Sequence, residues 1–133
     1  MTSALRLADY LEHMRQAAAQ AIGLVENMDK AAFLADCRTQ QAVLFNLVVL
    51  GEAAGNVLAS QAAFAERHTE VPWRSIRATR NRVAHGYFEI NLDVVWDTVQ
   101  TALPRLLSAL PAVAQAARDD SAQGDPPPAN AAS

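Results

Sequence analysis

The chain has 133 residues, a formal net charge of −3 and a composition that is 51% apolar but only 6% aromatic. This length suits one domain, and the abundance of alanine and leucine with few aromatic residues favours helices over sheet. The single cysteine, Cys37, excludes an internal disulfide and suits a reducing cytoplasm, and we expect neither a signal peptide nor a membrane span.

Apolar residues at three- and four-residue steps predict a first helix over residues 3–27. Asp29 is expected to cap a short helical turn over residues 30–35. A second long helix is predicted over residues 39–58, and it is apolar nearly all round. Such a helix is usually buried on more than one side, so we expect it at the centre of a bundle or shared with another subunit.

Residues 60–70 are more polar and predict a loop with some helical turn. Pro72 suits a first helical turn, and a helix is predicted over residues 72–84. Gly86 stands where a residue in the left-handed conformation commonly ends a helix.

The last predicted helix covers residues 92–110, where Pro104 should kink or split it. We therefore predict an all-α fold, an antiparallel bundle of four to five helices, over residues 1–113. Residues 114–133 are predicted to form a disordered, polar, proline-rich tail.

The segment with the most chemistry is residues 80–87, which read Arg-Asn-Arg-Val-Ala-His-Gly-Tyr. It joins a permanent cation, a group that titrates near neutral pH and a phenol, which together suit chemistry on a phosphodiester. Residues 71–88 contain no acidic residue, although the chain as a whole is acidic. This window holds four arginines: Arg74, Arg77, Arg80 and Arg82.

On a regular helix, Arg80 and His85 lie about 140° apart around the axis. We expect Gly86 to leave His85 at a frayed helix end, where its ring can turn toward Arg80. Asn81 and Tyr87 could hydrogen-bond a phosphate or hold the imidazole tautomer. The structural alternative is that these arginines form a solvated helix face.

Glu52 is the only charge in the central apolar helix. Because a buried carboxylate needs a partner, Glu52 either pairs with Arg80 or another motif arginine, or lies at a solvent-facing gap with Asn56, one turn away. The two tryptophans, Trp73 and Trp96, are expected to pack in the core rather than to stack on RNA bases.

The pattern Arg-x4-His-x-Tyr in residues 80–87 resembles the signature of the HepT-like toxins of the HEPN superfamily, small helical bundles of which many are metal-independent ribonucleases. The resemblance covers residues 5–110. It departs from the family pattern at Val49-Leu50, where isoleucines are more typical, and in the long tail. Besides the signature, the similar segments are residues 50–54, 72–77, 91–99 and 103–106.

The resemblance implies that Arg80 holds the scissile phosphate and that His85 is a general base on a 2′-hydroxyl or a general acid on the leaving oxygen. Asn81, Glu52 and Arg77 would orient the RNA substrate. It also implies a homodimer or a higher even oligomer with two motifs facing a shared cleft, a 2′,3′-cyclic phosphate product, and no metal or other cofactor.

The resemblance further implies that the chain is the toxin of a toxin–antitoxin system. Its partner would be a minimal nucleotidyltransferase antitoxin that transfers AMP from ATP to Tyr87. The added phosphates beside His85 would block RNA. Alternatively, the Tyr87 ring packs under its loop. Two other functions stay open: a non-catalytic helical partner that regulates a nucleotidyltransferase, and a repressor that binds DNA with a steep salt dependence.

Overall fold

A computed structural model describes the backbone of residues 3–86 and 89–124 and the side chains of residues 6–86 and 89–121. Every regular element within these ranges is helical, which confirms the predicted all-α fold. A π-helical turn, Thr98–Ala102, lies between the last two helices. The helices are α1 (Ser3–Leu24), α2 (Lys30–Leu34), α3 (Cys37–Ser60), α4 (Ala62–Arg67), α5 (Trp73–His85), α6 (Leu92–Asp97) and α7 (Leu103–Gly124).

Helix α3 lies at the centre of the bundle, as predicted. It packs against α1 and against α5, and α1 packs in turn against α7. Helices α3 and α5 run antiparallel, because Gly51 faces Arg80 while Gly55, one turn further along α3, faces Arg77, which comes earlier on α5. Helix α5 therefore lies at one side of the bundle, where it packs against α3.

Side-chain caps set the starts of three helices. Asp29 accepts a hydrogen bond from the Ala32 N–H at 2.8 Å, which confirms the predicted cap of α2. Asp36 accepts one from the Thr39 N–H at 3.1 Å and starts α3 slightly earlier than predicted. Asn91 caps α6 in the same way. Hydrogen bonds from Thr39 hold the pKa of Asp36 below its ordinary value.

Both tryptophans pack inside the bundle, as predicted. Trp73 is buried at the start of α5, and its indole N–H donates to the His68 carbonyl oxygen at 3.0 Å. Trp96 is partly buried and packs on Phe33 of α2, with 5.4 Å between the ring centroids. The two rings thus anchor the segments before and after the residues of the Arg-x4-His pattern.

The last helix is irregular just before Pro104, where a kink or a split was predicted: its backbone stays helical but widens into a π-helical turn. In a regular α-helix the Pro104 ring would clash with the carbonyl group of Gln100, and proline has no N–H to donate there. The wider π-helical turn, Thr98–Ala102, ends two residues before this proline and lies between α6 and α7. Pro111, by contrast, lies inside the continuous helix α7.

Helix α7 extends past residue 113, the predicted end of the folded domain, and continues to Gly124. Ala117 is buried, and Arg67 pairs with Asp120 at 2.8 Å, so these turns pack on the bundle. The physical reason is that alanine favours helix and that Ala117 continues the buried stripe by a four-residue step from Val113. Residues 125–133, the remainder of the predicted tail, lie outside the described residues.

We expected no membrane span, yet α3 is long and apolar enough to cross a membrane by length and composition alone. Half of its most apolar window is buried inside the bundle. A central helix that packs against α1 and α5 requires the same composition, so these contacts account for the buried half.

Candidate active site on helix α5

Helix α5 is closed at its end by Gly86, but not in the left-handed conformation that we predicted. Gly86 has a φ of −126°, and its N–H donates to the Arg82 carbonyl oxygen at 2.8 Å. This hydrogen bond keeps the last turn of the helix closed. His85 is therefore a helical residue and not part of a frayed end.

Arg80 lies in the contact between α5 and α3. Its Nε is 2.5 Å from Glu52 Oε1, with 29% of the Arg80 side chain and 51% of the Glu52 side chain exposed. The buried Nε–H makes no hydrogen bond to the described residues, so the two groups interact as an ion pair. At the far end of the side chain, Nη1 donates to Asn81 Oδ1 at 3.1 Å. Two polar contacts thus fix the guanidinium group.

The structure combines the two alternatives that we considered for Glu52. Its carboxylate pairs with Arg80, as one alternative held, and it is half exposed, as the other held. In the described part of the chain, no three His, Cys, Asp or Glu side chains lie close enough together to hold a metal ion. The half-exposed Glu52 carboxylate can therefore orient the Arg80 guanidinium group through their ion pair.

His85 is exposed at the end of α5, on a different side of the helix from Arg80. Because α5 is helical through both residues, they are separated by about 140° around the axis and about 7.5 Å along it. The expected turn of the ring toward Arg80 is not found. Among residues 6–86 and 89–121, whose side chains the structure describes, none hydrogen-bonds the ring.

The exposed face of α5 is basic along its whole length. Arg74, Asn81 and His85 lie within about 40° of one another around the axis, with Arg77 on one side and Arg82 on the other. All five side chains are exposed, and the helix contains no acidic residue. Within the described ranges, no carboxylate pairs with the three arginines. A row of arginines without ion-pair partners in the described ranges therefore leads to His85.

A cleft of about 430 Å³ lies beside the first half of this row. Arg74 and Arg77 line it from α5, together with Trp73 at the helix start and Thr69 in the preceding loop. One acidic residue, Glu66 of α4, also lines the cleft. The lining combines cations, hydrogen-bonding groups and apolar surface.

Two glycines of α3 pack against the side chains of two arginines on α5. Gly51 lies against the Arg80 side chain and Gly55 against the Arg77 side chain. In the sequence, the four-residue spacing of these glycines already places both on one face of a helix.

Tyr87 lies outside the described residues, so its predicted modification stays a prediction.

The fold and the site define an all-α protein whose exposed basic helix carries an Arg-x4-His pattern suited to a phosphodiester. Residues 9–113 match the protein family described as Ribonuclease HepT-like. The chain belongs to this family, which confirms the resemblance found in the sequence.

Individual relatives support the same assignment. A Thermococcus cleftensis protein named "Probable ribonuclease HepT" is 36% identical over 102 residues, which cover 74% of this chain and 86% of the relative. A Caldanaerobacter subterraneus protein with a provisional name as an RNase is 32% identical over 73% of this chain and 84% of its own length. A Methanocaldococcus jannaschii protein with the same kind of name is 35% identical over 74% of this chain and 75% of its own length. No solved structure matches the chain significantly.

Proposed function

We propose that the chain is a metal-independent endoribonuclease in which Arg80 binds the scissile phosphate and His85 transfers protons. The observation that carries this proposal is the state of the two side chains. Arg80 is held by Glu52 and Asn81 at the edge of the solvent, while the His85 ring is exposed and free of described partners on the same acid-free helix. Arginine suits phosphate oxygens, and imidazole suits proton transfer near neutral pH.

The reaction follows from these two groups. Neutral His85 removes the proton of a ribose 2′-hydroxyl, and the 2′-oxygen forms a bond to the adjacent phosphorus. The bond from phosphorus to the 5′-oxygen breaks, and that oxygen takes a proton from a protonated imidazole. The products are a 2′,3′-cyclic phosphate and a 5′-hydroxyl. Arg80 stabilises the charge that develops on the phosphate oxygens.

The geometry of α5 favours an active homodimer or a higher even oligomer. Because Arg80 and His85 lie on different sides of the helix, a second copy would allow the two residues of different protomers to meet one phosphate. Helix α3 offers a surface for this assembly beside Glu52: Phe45 is 68% exposed, and Val48 and Val49 are partly buried. Two copies of His85 would supply the base and the acid.

The basic face of α5 and its cleft would hold the RNA strand. Arg74 and Arg77 are exposed cations without carboxylate partners in the described part of the chain, and they line the cleft. Asn81 lies between them and His85 and would orient the substrate. Phosphate contacts of this kind position a nucleic acid without reading its sequence.

We also propose that the chain is the toxin of a cytoplasmic toxin–antitoxin pair, with a minimal nucleotidyltransferase as antitoxin. The Tyr87 oxygen would attack the α-phosphorus of ATP, so that AMP is attached and pyrophosphate leaves. Tyr87 follows His85 by two residues. The attached phosphate would introduce negative charge at the end of a helix that has no acidic residue of its own.

Cleavage assays on the purified chain test the ribonuclease proposal. We expect products with cyclic phosphate ends, and we expect Arg80→Ala and His85→Ala to lower the rate by about 100-fold or more. His13→Ala is the matched control, because His13 is an exposed helical histidine far from α5 in the sequence. A His85→Ala variant with the normal rate would refute the assignment. A stable nucleotidyltransferase complex without any RNA cleavage would favour the non-catalytic alternative.

Mass spectrometry tests the proposed control by AMP. After incubation with the nucleotidyltransferase and ATP, the chain should gain the mass of AMP on Tyr87 and lose RNA cleavage. Tyr87→Phe should stay unmodified and active. Inactivation of the Tyr87→Phe variant by the same treatment would rule out this residue as the target.

A further inference from the structure

Two glycines of α3 face two arginines of α5, but only one of these contacts excludes a side chain. A Cβ atom at Gly51 would overlap Arg80 Cβ and would lie 2.9 Å from Arg80 Cγ and 3.1 Å from the Ile76 carbonyl oxygen. A Cβ atom at Gly55 would lie 3.4 Å and 3.5 Å from Arg77 Cδ and Cγ, which are ordinary van der Waals distances. Helices α3 and α5 therefore meet through the backbone of Gly51 and the stem of Arg80.

The contact at Gly51 is the least adjustable contact of the Arg80 side chain. The guanidinium group can rotate to follow Glu52 or Asn81, whereas the Cβ atom of Arg80 moves only with the backbone of α5. The distance between the two helices at Gly51 thus decides whether Arg80 Nε reaches the Glu52 carboxylate, which it does at 2.5 Å.

We propose that Gly51 is a positioning residue of the active site. Its missing side chain lets α5 approach α3 closely enough to hold the Arg80 guanidinium against Glu52 and toward the scissile phosphate. The proposal rests on the ribonuclease function proposed above. It concerns a residue that touches neither RNA nor the reacting atoms and that acts only through Arg80.

Gly51→Ala tests the proposal, because the new methyl group requires α5 to move by on the order of 1 Å at Arg80, a misplacement that can cost about 100-fold in rate. We expect kcat to fall by about that factor. KM for RNA should change less than about threefold, since Arg74 and Arg77 keep their places on α5. Gly55→Ala is the matched control and should cleave RNA within about twofold of the wild-type rate, because its methyl group fits. A folded Gly51→Ala protein with wild-type kcat would overturn the proposal.

A melting experiment tests the contact without relying on RNA cleavage. Gly51→Ala should lower Tm by about 5 °C or more in the wild-type background, because overpacking forces the helices apart. In the Arg80→Gly background, which lacks the clashing carbons, the same change should lower Tm much less. An equal loss in both backgrounds would overturn the proposal.

The same set of single and double variants tests the contact if Gly51→Ala alone does not fold. Recovery of the folded protein in the Gly51→Ala/Arg80→Gly variant supports the contact with the Arg80 stem, and failure to recover contradicts it. If the wild-type chain cleaves no RNA, the proposed ribonuclease function fails, while the melting cycle still tests the contact at Gly51.

Discussion

Arg80 shows how a single residue can belong to both the packing and the candidate chemistry. Its stem fills the space at Gly51, and its charged end lies beside Glu52 and Asn81. Because the Glu52 carboxylate is half exposed, water and salt screen the ion pair, and it adds little to stability. We infer that the main effect of Glu52 is to select one direction for the guanidinium group.

Arg74 offers a test of the basic face at the level of one residue. Arg74→Ala should weaken binding of single-stranded RNA and reduce the slope of log affinity against log salt concentration by about 0.7, because one phosphate contact is lost. Arg105→Ala is the matched control, since Arg105 is an exposed arginine of α7 without a carboxylate partner in the described ranges. The measurement is the affinity of each protein for single-stranded RNA at several salt concentrations from low to moderate. Identical slopes for Arg74→Ala and the wild-type chain would remove Arg74 from the binding surface.

The start of α3 gives a prediction at the level of the helix. Hydrogen bonds from Thr39 lower the pKa of Asp36 in the folded chain below its ordinary value of 3.8. The charged cap therefore stabilises the fold at a pH above the unfolded-state pKa. This stabilisation is lost as the pH falls through the lower folded-state pKa. Asp36→Asn keeps a capping oxygen but has no charge to lose. We therefore expect a Tm near that of the wild type at pH 7 and a shallower fall of Tm below about pH 4.

Thermal melts of both proteins from pH 7 to about pH 2.5 measure this difference. Parallel acid limbs for the wild-type chain and Asp36→Asn would show that the carboxylate does not stabilise the start of α3.

The helices of the bundle could be predicted well from the sequence because their determinants are local. Apolar periodicity located α1 and α3, Asp29 marked the start of α2, and Pro104 marked the break in the last helix. The end of α7 was missed, because an alanine-rich segment followed by polar residues resembles a disordered tail until its packing against the bundle is known.

The sequence indicates which helix carries the candidate site but not the geometry of that site. The Arg-x4-His pattern and the acid-free window mark α5 from residue types alone. The close approach at Gly51 depends on the distance between two helices, which no local pattern contains. The direction of His85 depended on the last turn of α5, and the hydrogen bond from Gly86 closed that turn against expectation.

At the scale of the whole molecule, the exposed apolar surface of α3 makes the oligomeric state a test of the mechanism. Phe45→Asp should convert the proposed homodimer to monomers, because a carboxylate would have to be buried without a partner. The rate of RNA cleavage should fall with it, since each site would lose the second His85. Leu24→Asp, at the exposed end of α1, is the control that should change neither property.

Light scattering and cleavage assays on the same samples make the comparison. A Phe45→Asp protein that keeps the wild-type mass, or a monomer that keeps the full rate, would contradict the proposed assembly.

Helix α5 contributes only Trp73 and Val83 as buried side chains, whereas α1, α3 and α7 each contribute several more. Local opening free energies follow buried apolar contacts, so α5 is the long helix that can detach from the bundle at the lowest cost. A chain with α5 detached would keep most of its core but would separate Arg80 from Glu52. The fold can therefore persist through fluctuations that dismantle the candidate site. The time for which α5 stays attached to the bundle, rather than the lifetime of the folded chain, then limits how long the candidate site stays assembled.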